Sequence, residues 1–508
     1  MKMKKIALAI AALGVAPAAF ALTPAQIDGT TARLWLSGAS APTNTVFKGV
    51  LTLCKGVSYR DAAGNNQTNP GVIDAHMYIE STGTEPGKSS GDRVAYACTI
   101  DTFDNRAGSL EGKKVVVYHT VEGGSFNAYT PHLRIAGDPN PNIPATLRRI
   151  SNVESLGAGC GVGAGTPTTV NVSGINNTIL RYNSCATTPV TFTPGQALRA
   201  NVFQNPDRPE GGFSDTEYLI NKLNLDIATD LSSIGSEVPT NIGQAFGVAV
   251  SYPLYLQLQK NDIASGLIPA TCDDNVAHPF NGGPTTKAPD QTLACQPNLP
   301  AQRYTAAAYQ DGAGAVDGSL FGGTVGSKVN LARRAITSGT QSASNLRFLN
   351  KPCGLGAAGG ALNPSRSTDS TATYVVTENS STGGVKTVLT NATNANEFGL
   401  GVVSMENVPG ASDKWAFVKL DRVSPNSDSF QRAEAIDGSY NFWYELVAFT
   451  ASTAFLEGSD LIAGVNTSLG NPELTNLTGL FITPLAGVAG SNVSKGYRAG
   501  NSCQAPVQ

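Results

Sequence analysis

Phe246-Gly247-Val248-Ala249-Val250-Ser251-Tyr252-Pro253-Leu254-Tyr255-Leu256 is apolar almost throughout, and a run without alternation reads as a strand covered on both faces. Phe398-Gly399-Leu400-Gly401-Val402-Val403-Ser404 repeats the pattern far downstream. Between the two lies a block with its own strand signal, Val329 to Arg333, followed by apolar Leu346 and Leu349 at helical spacing. One buried strand leaving a unit and another returning to it imply a second unit inserted into the first. Upstream, Arg33-Leu34-Trp35-Leu36 and Lys113 to Tyr118 read as buried strands, while Val46, Val50 and Leu53 recur as one face of a helix. Downstream, Trp415 to Leu420 alternates as a strand does. Tyr440-Asn441-Phe442-Trp443-Tyr444-Glu445-Leu446 opens a predicted helix through Leu456; its aromatics suit a carbohydrate platform, but aromatics clustered at helical spacing are more often core. Strands alternating with helices define an α/β fold of two lobes.

Composition limits what such a chain does. With 508 residues it exceeds what one hydrophobic core organises. Charged residues make up 14% and the net charge is -3, which leaves no basic field for nucleic acid. Met1-Lys2-Met3-Lys4-Lys5, an apolar run from Ile6 to Phe20 and Ala19-Phe20-Ala21 form the charged, apolar and cleavage regions of a signal peptide over 1–21. No later stretch is apolar for long enough to span a bilayer, so the mature chain is expected to be periplasmic or secreted, without membrane insertion. The 55 glycines and 29 prolines concentrate in loop-rich insertions: Cys54 to Gly112, with a possible strand at His76 to Ile79, then Asp138 to Thr193 and Lys260 to Asp317. Eight cysteines fit an oxidising compartment. Cys54 with Cys98, Cys160 with Cys185 and Cys272 with Cys295 each bracket a turn-rich insertion, which leaves Cys353 with Cys503.

Four turns carry the chemistry. Arg334-Ala335-Ile336-Thr337-Ser338-Gly339-Thr340 sits between the strand ending at Arg333 and a helix expected from Gln341. Ser338 and Thr340 offer hydroxyl donors, Gly339 admits close approach of backbone N–H groups, and Arg334 can fork onto two oxygens. Ser37-Gly38-Ala39-Ser40-Ala41-Pro42 follows a strand, with Ser40 placed as an N-cap and Pro42 in the first helical turn. Gly123-Gly124-Ser125 follows another strand, and Gly211-Gly212-Phe213-Ser214-Asp215 delivers an acid ahead of a helix. Capping of helices is the bland alternative for Ser338, Ser40 and Asp215, and a flexible turn is that for Ser125. An acid in an anion site makes sense when the anion carries a proton, because a carboxylate accepts that hydrogen and repels a bare oxyanion.

In this order the turns resemble the anion-contacting turns of periplasmic phosphate-binding proteins, the receptors of ABC phosphate importers and their secreted relatives. The match runs in segments, through Gly38-Ala39-Ser40-Ala41-Pro42, Gly123-Gly124-Ser125, Phe213-Ser214-Asp215 and the spacing from Arg334 to Ser338-Gly339-Thr340. Ser40 stands where the family has threonine, Ala41 where it has a large apolar residue, and its serine-rich turn is reduced to Ser125. The resemblance implies a type II periplasmic-binding-protein fold, two lobes with a discontinuous first lobe: 22–250 with 405–508, and 251–404 inserted. It implies phosphate bound by Ser40, Ala41, Ser125, Asp215, Arg334, Ser338, Gly339 and Thr340, with arsenate as an isostere, an ABC permease as partner and no cofactor. Two other classes compete. A secreted phosphoesterase needs a metal or nucleophilic centre, and His76, His119, His132 and His278 show no metal-ligand spacing. A cell-surface or matrix protein that kept the fold without transport is compatible with the insertions.

Overall fold

The computed structural model describes residues 24–80, 93–102, 106–151, 153–154, 160, 165–272, 289–309, 316–354, 364–410 and 412–507. The signal peptide expected at 1–21 and His278 lie outside these residues.

Among the described residues fourteen strands share one mixed sheet. In the first half of the chain they are β1 (Ala32–Gly38), β2 (His76–Glu80), β3 (Arg93–Thr99), β4 (Lys114–Thr120), β5 (Thr166–Val172), β6 (Ile175–Cys185) and β7 (Gly211–Ser214), with helices α1 (Thr43–Thr52) and α2 (Tyr218–Leu225). Then come β8 (Gly235–Ser251), α3 (Tyr252–Ala264), β9 (Val329–Arg334), α4 (Gly339–Ser344), β10 (Tyr374–Asn379), α5 (Thr382–Asn394) and β11 (Phe398–Ser404). The chain closes with β12 (Trp415–Phe417), β13 (Trp443–Ala451), α6 (Leu456–Leu469) and β14 (Leu480–Ile482). The strand order is β10-β9-β11-β8-β13-β7-β1-β4-β3-β2-β6-β5, with β12 and β14 each paired to β8 off this path.

The 17-residue β8 joins the two halves of this sheet. Its first part pairs antiparallel with β13, from Gly235 opposite Ala451 to Ala245 opposite Trp443, and its last part pairs antiparallel with β11, from Phe246 opposite Ser404 to Val250 opposite Leu400. The apolar run that decides the fold is therefore this second part. It ends at Ser251, earlier than the sequence reading to Leu256, because Pro253 lacks a ladder donor and suits the first turn of α3. On one side β1 runs parallel to β4 and β7; on the other, β9 runs parallel to β10 and β11.

Each half has its own core. Leu34, Val46, Val50, Val117, Phe213, Leu446 and Val465 belong to one buried cluster. Phe246, Val248, Leu258, Leu331, Leu400, Ala416, Phe442 and Tyr444 belong to another. Ala416 to Tyr444 thus packs with the half that holds β9 and β11.

Two sequence readings are corrected. Tyr440 to Leu456 is not a helix: Trp443–Ala451 is the central strand β13, and the helix begins only at Leu456. A strand buried on both faces shows no alternation, so its aromatic run carries no period that separates strand from helix. Phe442, Trp443 and Tyr444 are 0%, 1% and 4% exposed, which excludes a carbohydrate platform there. Asp138 to Thr193 is not loose either. It forms the hairpin β5–β6 and a two-stranded sheet of Thr146–Ile150 with Thr187–Thr191. The hairpin and Thr187–Thr191 are half exposed and rich in threonine and asparagine, so they offer little apolar pattern while still suiting extended backbone.

The disulfides are Cys54–Cys98, Cys160–Cys185, Cys272–Cys295 and Cys353–Cys503, as the sequence reading paired them. Among the described residues no helix is long and apolar enough to cross a membrane.

Candidate functional site

All four turns lie at carboxyl ends of strands from parallel sets. Ser40 and Ala41 follow β1, Ser125 follows β4, Asp215 follows β7, and Arg334 ends β9. Gly38 makes the first turn possible. Its φ is +128°, and a Cβ there would lie 2.1 Å from the carbonyl oxygen of Phe213, at the end of the neighbouring β7. The N–H of Ala39 donates to that same oxygen at 2.7 Å, and Ser37 Oγ donates to the carbonyl of Asn127 at 2.8 Å. The turns after β1, β4 and β7 are thereby locked to one another.

The turn after β9 meets them from the other half of the sheet. The N–H of Phe126 donates to the carbonyl of Thr337 at 3.1 Å, and Thr337 Oγ1 donates to the carbonyl of Gly123 at 2.9 Å. A Cβ on Gly339 would fall 2.4 Å from both Asp215 Oδ2 and Ser125 Oγ, and one on Gly124 would fall 2.7 Å from the Cα of Ser338. Glycine is thus required on both sides for the turns to approach. Ser342 Oγ donates to Asn221 Oδ1 at 3.0 Å, adding a contact between α4 and α2.

Ser125 Oγ donates to Asp215 Oδ2 at 2.5 Å, while Asp215 Oδ1 is buried without a hydrogen-bond partner among the described residues. Burial raises the Asp215 carboxyl to about 6, against the lowering effects of the Ser125 hydroxyl and the Arg334 charge. Arg334 is 6% exposed; its Nη1 donates to Thr382 Oγ1 at 2.8 Å and its Nη2 to the carbonyl of Ser380 at 3.0 Å. The turn after β10 therefore holds the guanidinium in place. Ser125, Ser338 and Thr340 are 1%, 2% and 5% exposed; Ser40 and Ala41 are partly exposed at the rim.

The capping alternatives fail on geometry. Ser338 is the N-cap of α4, which starts at Gly339 and not at Gln341, yet its side chain makes no capping bond. The N-cap of α1 is Pro42, so Ser40 is not the cap the sequence reading placed there; its carbonyl accepts from Thr43 N–H at 3.2 Å and Thr43 Oγ1 at 2.7 Å. Asp215 stands outside α2, whose N-cap is Glu217. After Ser125 the chain forms a 3-10 turn, Ser125–Ala128, and a short helix, Thr130–Ala136, where the sequence shows little periodicity.

Sequence reasoning missed Thr337, Thr382 and Glu406. Glu406 lies two residues past β11, the strand beside β9, and a lone glutamate in a turn carries no motif. Its carboxyl accepts from Ser404 Oγ at 2.7 Å, Asn407 Nδ2 at 3.0 Å and Gln244 Nε2 at 3.4 Å. Burial pushes this carboxyl up, the Asp215 charge pushes it further, and the Arg334 charge draws it down. Among the described residues no group of three or more His, Cys, Asp or Glu is placed to hold a metal ion.

The fold and these turns define an α/β protein in which polar turns from the two halves of one mixed sheet come together. Three solved structures are similar to it. A protein described as a phosphate ABC transporter substrate-binding protein with bound phosphate, from Clostridium perfringens, is 9% identical with a TM-score of 0.35, over 89% of this chain and 99% of that one. An ABC-type phosphate transport receptor from Vibrio cholerae is 14% identical with a TM-score of 0.27, over 51% and 73%. A protein described as a possible phosphate binding protein, from Planctomyces limnophilus, is 9% identical with a TM-score of 0.28, over 88% and 85%. No protein-family model and no curated protein matches the sequence.

Proposed function

We propose that the chain is an exported solute-binding protein of the type II periplasmic-binding-protein class that captures inorganic phosphate between its lobes and hands it to an ABC permease. Residues 22–250 and 405–508 form the first lobe and 251–404 the second, with the stretch from 416 to 444 packed onto the second lobe's core. The observation that carries this reading is the convergence of Ser125 and Asp215 from one half of the sheet with the turn of Ser338 and Gly339 from the other. Hydroxyls free of capping duty, a fixed guanidinium and a buried carboxylate oxygen with no partner suit an oxyanion that carries a proton.

Capture works by closure. Only the apposed lobes supply both sets of donors, so binding energy favours that arrangement. Ser40 and the backbone of Ala41 complete the rim, and arsenate, with the same shape and protonation, is accepted as phosphate is. Four disulfides suit export. No catalytic role is assigned to the site. Calorimetric titration of the mature protein with phosphate, sulfate and arsenate tests the reading: heat with phosphate and arsenate and none with sulfate is expected, and the absence of heat with phosphate overturns it.

A further inference from the structure

The proposed anion site contains more acid than the four turns account for. Glu406 stands on the same edge as Arg334, because β9 and β11 run parallel with Ala332 beside Gly401, and both chains then turn at their carboxyl ends. The turn is fixed to the joining strand, since the N–H of Met405 donates to the carbonyl of Ala245 at 2.9 Å. Gln244, on that strand and 0% exposed, gives one amide hydrogen to Glu406 and leaves its own Oε1 without a partner among the described residues. Asp215 Oδ1 is likewise buried without a partner among the described residues. The charged groups around Glu406 are Asp215 after β7, Arg334 at the end of β9, and Lys386 on α5, whose Nζ reaches Asn407 Oδ1 at 3.4 Å. Glu406 and Arg334 therefore end neighbouring parallel strands on one edge of the sheet, close enough that the Asp215 and Arg334 charges both act on the Glu406 carboxyl.

We propose that Glu406 is the second carboxylate of this site and that, with Asp215, it admits the anion only in its dihydrogen form, so that capture takes up a proton whenever the free anion is monohydrogen phosphate. This rests on the phosphate-capture reading above. A carboxylate facing an anion oxygen sets acceptor against acceptor unless a hydrogen lies between them. One such carboxylate asks for one proton on the ligand, and two ask for two. Asp215 alone would take monohydrogen phosphate as well; Glu406 is what narrows the choice.

The test is calorimetry of the full mature protein with inorganic phosphate from about pH 5.5 to about pH 8.5, in pairs of buffers with different ionisation enthalpies. The wild type is expected to lose about tenfold in affinity per pH unit above neutrality and to take up about one proton on the alkaline side. Glu406→Gln keeps the hydrogen-bonding shape and should bind with a flat profile and no proton uptake. Glu406→Asp keeps the charge and should retain the slope, which separates the carboxylate's effect from a structural one. A flat wild-type profile, or an unchanged slope in Glu406→Gln, overturns the proposal while leaving phosphate capture standing. No heat with phosphate at any pH overturns capture itself and this proposal with it.

Discussion

Burial raises the Asp215 carboxyl to about 6 from the ordinary 3.8, so within that window the folded chain holds a proton that the unfolded chain has released. The stabilising share of that proton is complete below the unfolded value and is lost as pH rises through the folded one. Asp215→Asn should therefore make the ligand-free protein less sensitive to pH between 4 and 6, by up to about 3 kcal/mol in urea unfolding. An unchanged pH dependence would place the proton elsewhere. The same residue sets selectivity. Ionised, it accepts a hydrogen from phosphate and repels sulfate; protonated, it donates to either. Sulfate should compete with phosphate increasingly as falling pH protonates Asp215 and Glu406, whose carboxyls burial raises, and Asp215→Asn combined with Glu406→Gln should tolerate sulfate at every pH, as read by competition calorimetry. Arg334, held by Thr382 and Ser380, is buried deeply enough that Arg334→Ala should weaken phosphate binding by about 2–5 kcal/mol, mainly through faster release. An effect below about 1 kcal/mol, the scale of an exposed pair, would remove it from the site. At this scale the sequence marked Ser338-Gly339-Thr340 as a turn after a strand, and the structure brings Gly339 of that turn against Ser125 and Asp215. Glu406 and Thr382 could not be found that way, because their roles come from strands that pair across long separations.

Single elements were legible according to how they are buried. α1 shows its period because Val46 and Val50 lie one turn apart in the core, and β4 shows as an unbroken valine run because it is buried on both faces between β1 and β3. β13 is buried on both sides with aromatics in place of branched residues, and its nine residues are long enough to resemble a helix in sequence. The hairpin β5–β6 fails to show for the opposite reason, since exposed threonine and asparagine give it no apolar rhythm. Glycine marks the element ends more reliably. At Gly38 the positive φ and the Phe213 carbonyl both exclude a side chain, so Gly38→Ala should shift the last residues of β1 and the turn that bears Ser40. The expected cost is more than the ~1 kcal/mol of an ordinary glycine replacement, seen as a lower urea midpoint with an unchanged slope. If stability stays within 0.5 kcal/mol or so, the contact is not a constraint on the fold.

Over the whole molecule, the pairing of Phe246–Ser251 with Phe398–Ser404 was foreshadowed by two runs apolar without interruption, whereas the place of Ala416 to Tyr444 was not, because that stretch carries no signal of which core it joins. The C-terminal segment adds a clasp across this junction. Glu445 on β13 accepts from the N–H groups of Arg498 at 2.5 Å and Gly500 at 2.7 Å, and Glu217 at the start of α2 accepts from Ser502 N–H at 2.7 Å. One residue later Cys503 is bonded to Cys353, which packs against the core of the other half. The chain thus runs from β14, past the strand that joins the halves, to a covalent anchor on the far side. Cross-linking residues 150 apart in sequence removes unfolded-state freedom worth roughly 5 kcal/mol in the chain-entropy limit, and native disulfides commonly contribute about 2–5 kcal/mol. Cys353→Ser with Cys503→Ser should lower the urea midpoint accordingly. If the clasp also limits how far the lobes part, the double variant should release bound phosphate faster while the anion contacts stay intact. A loss of stability with an unchanged release rate would make the clasp a staple of the fold alone, lying close enough to the hinge that opening does not stretch it.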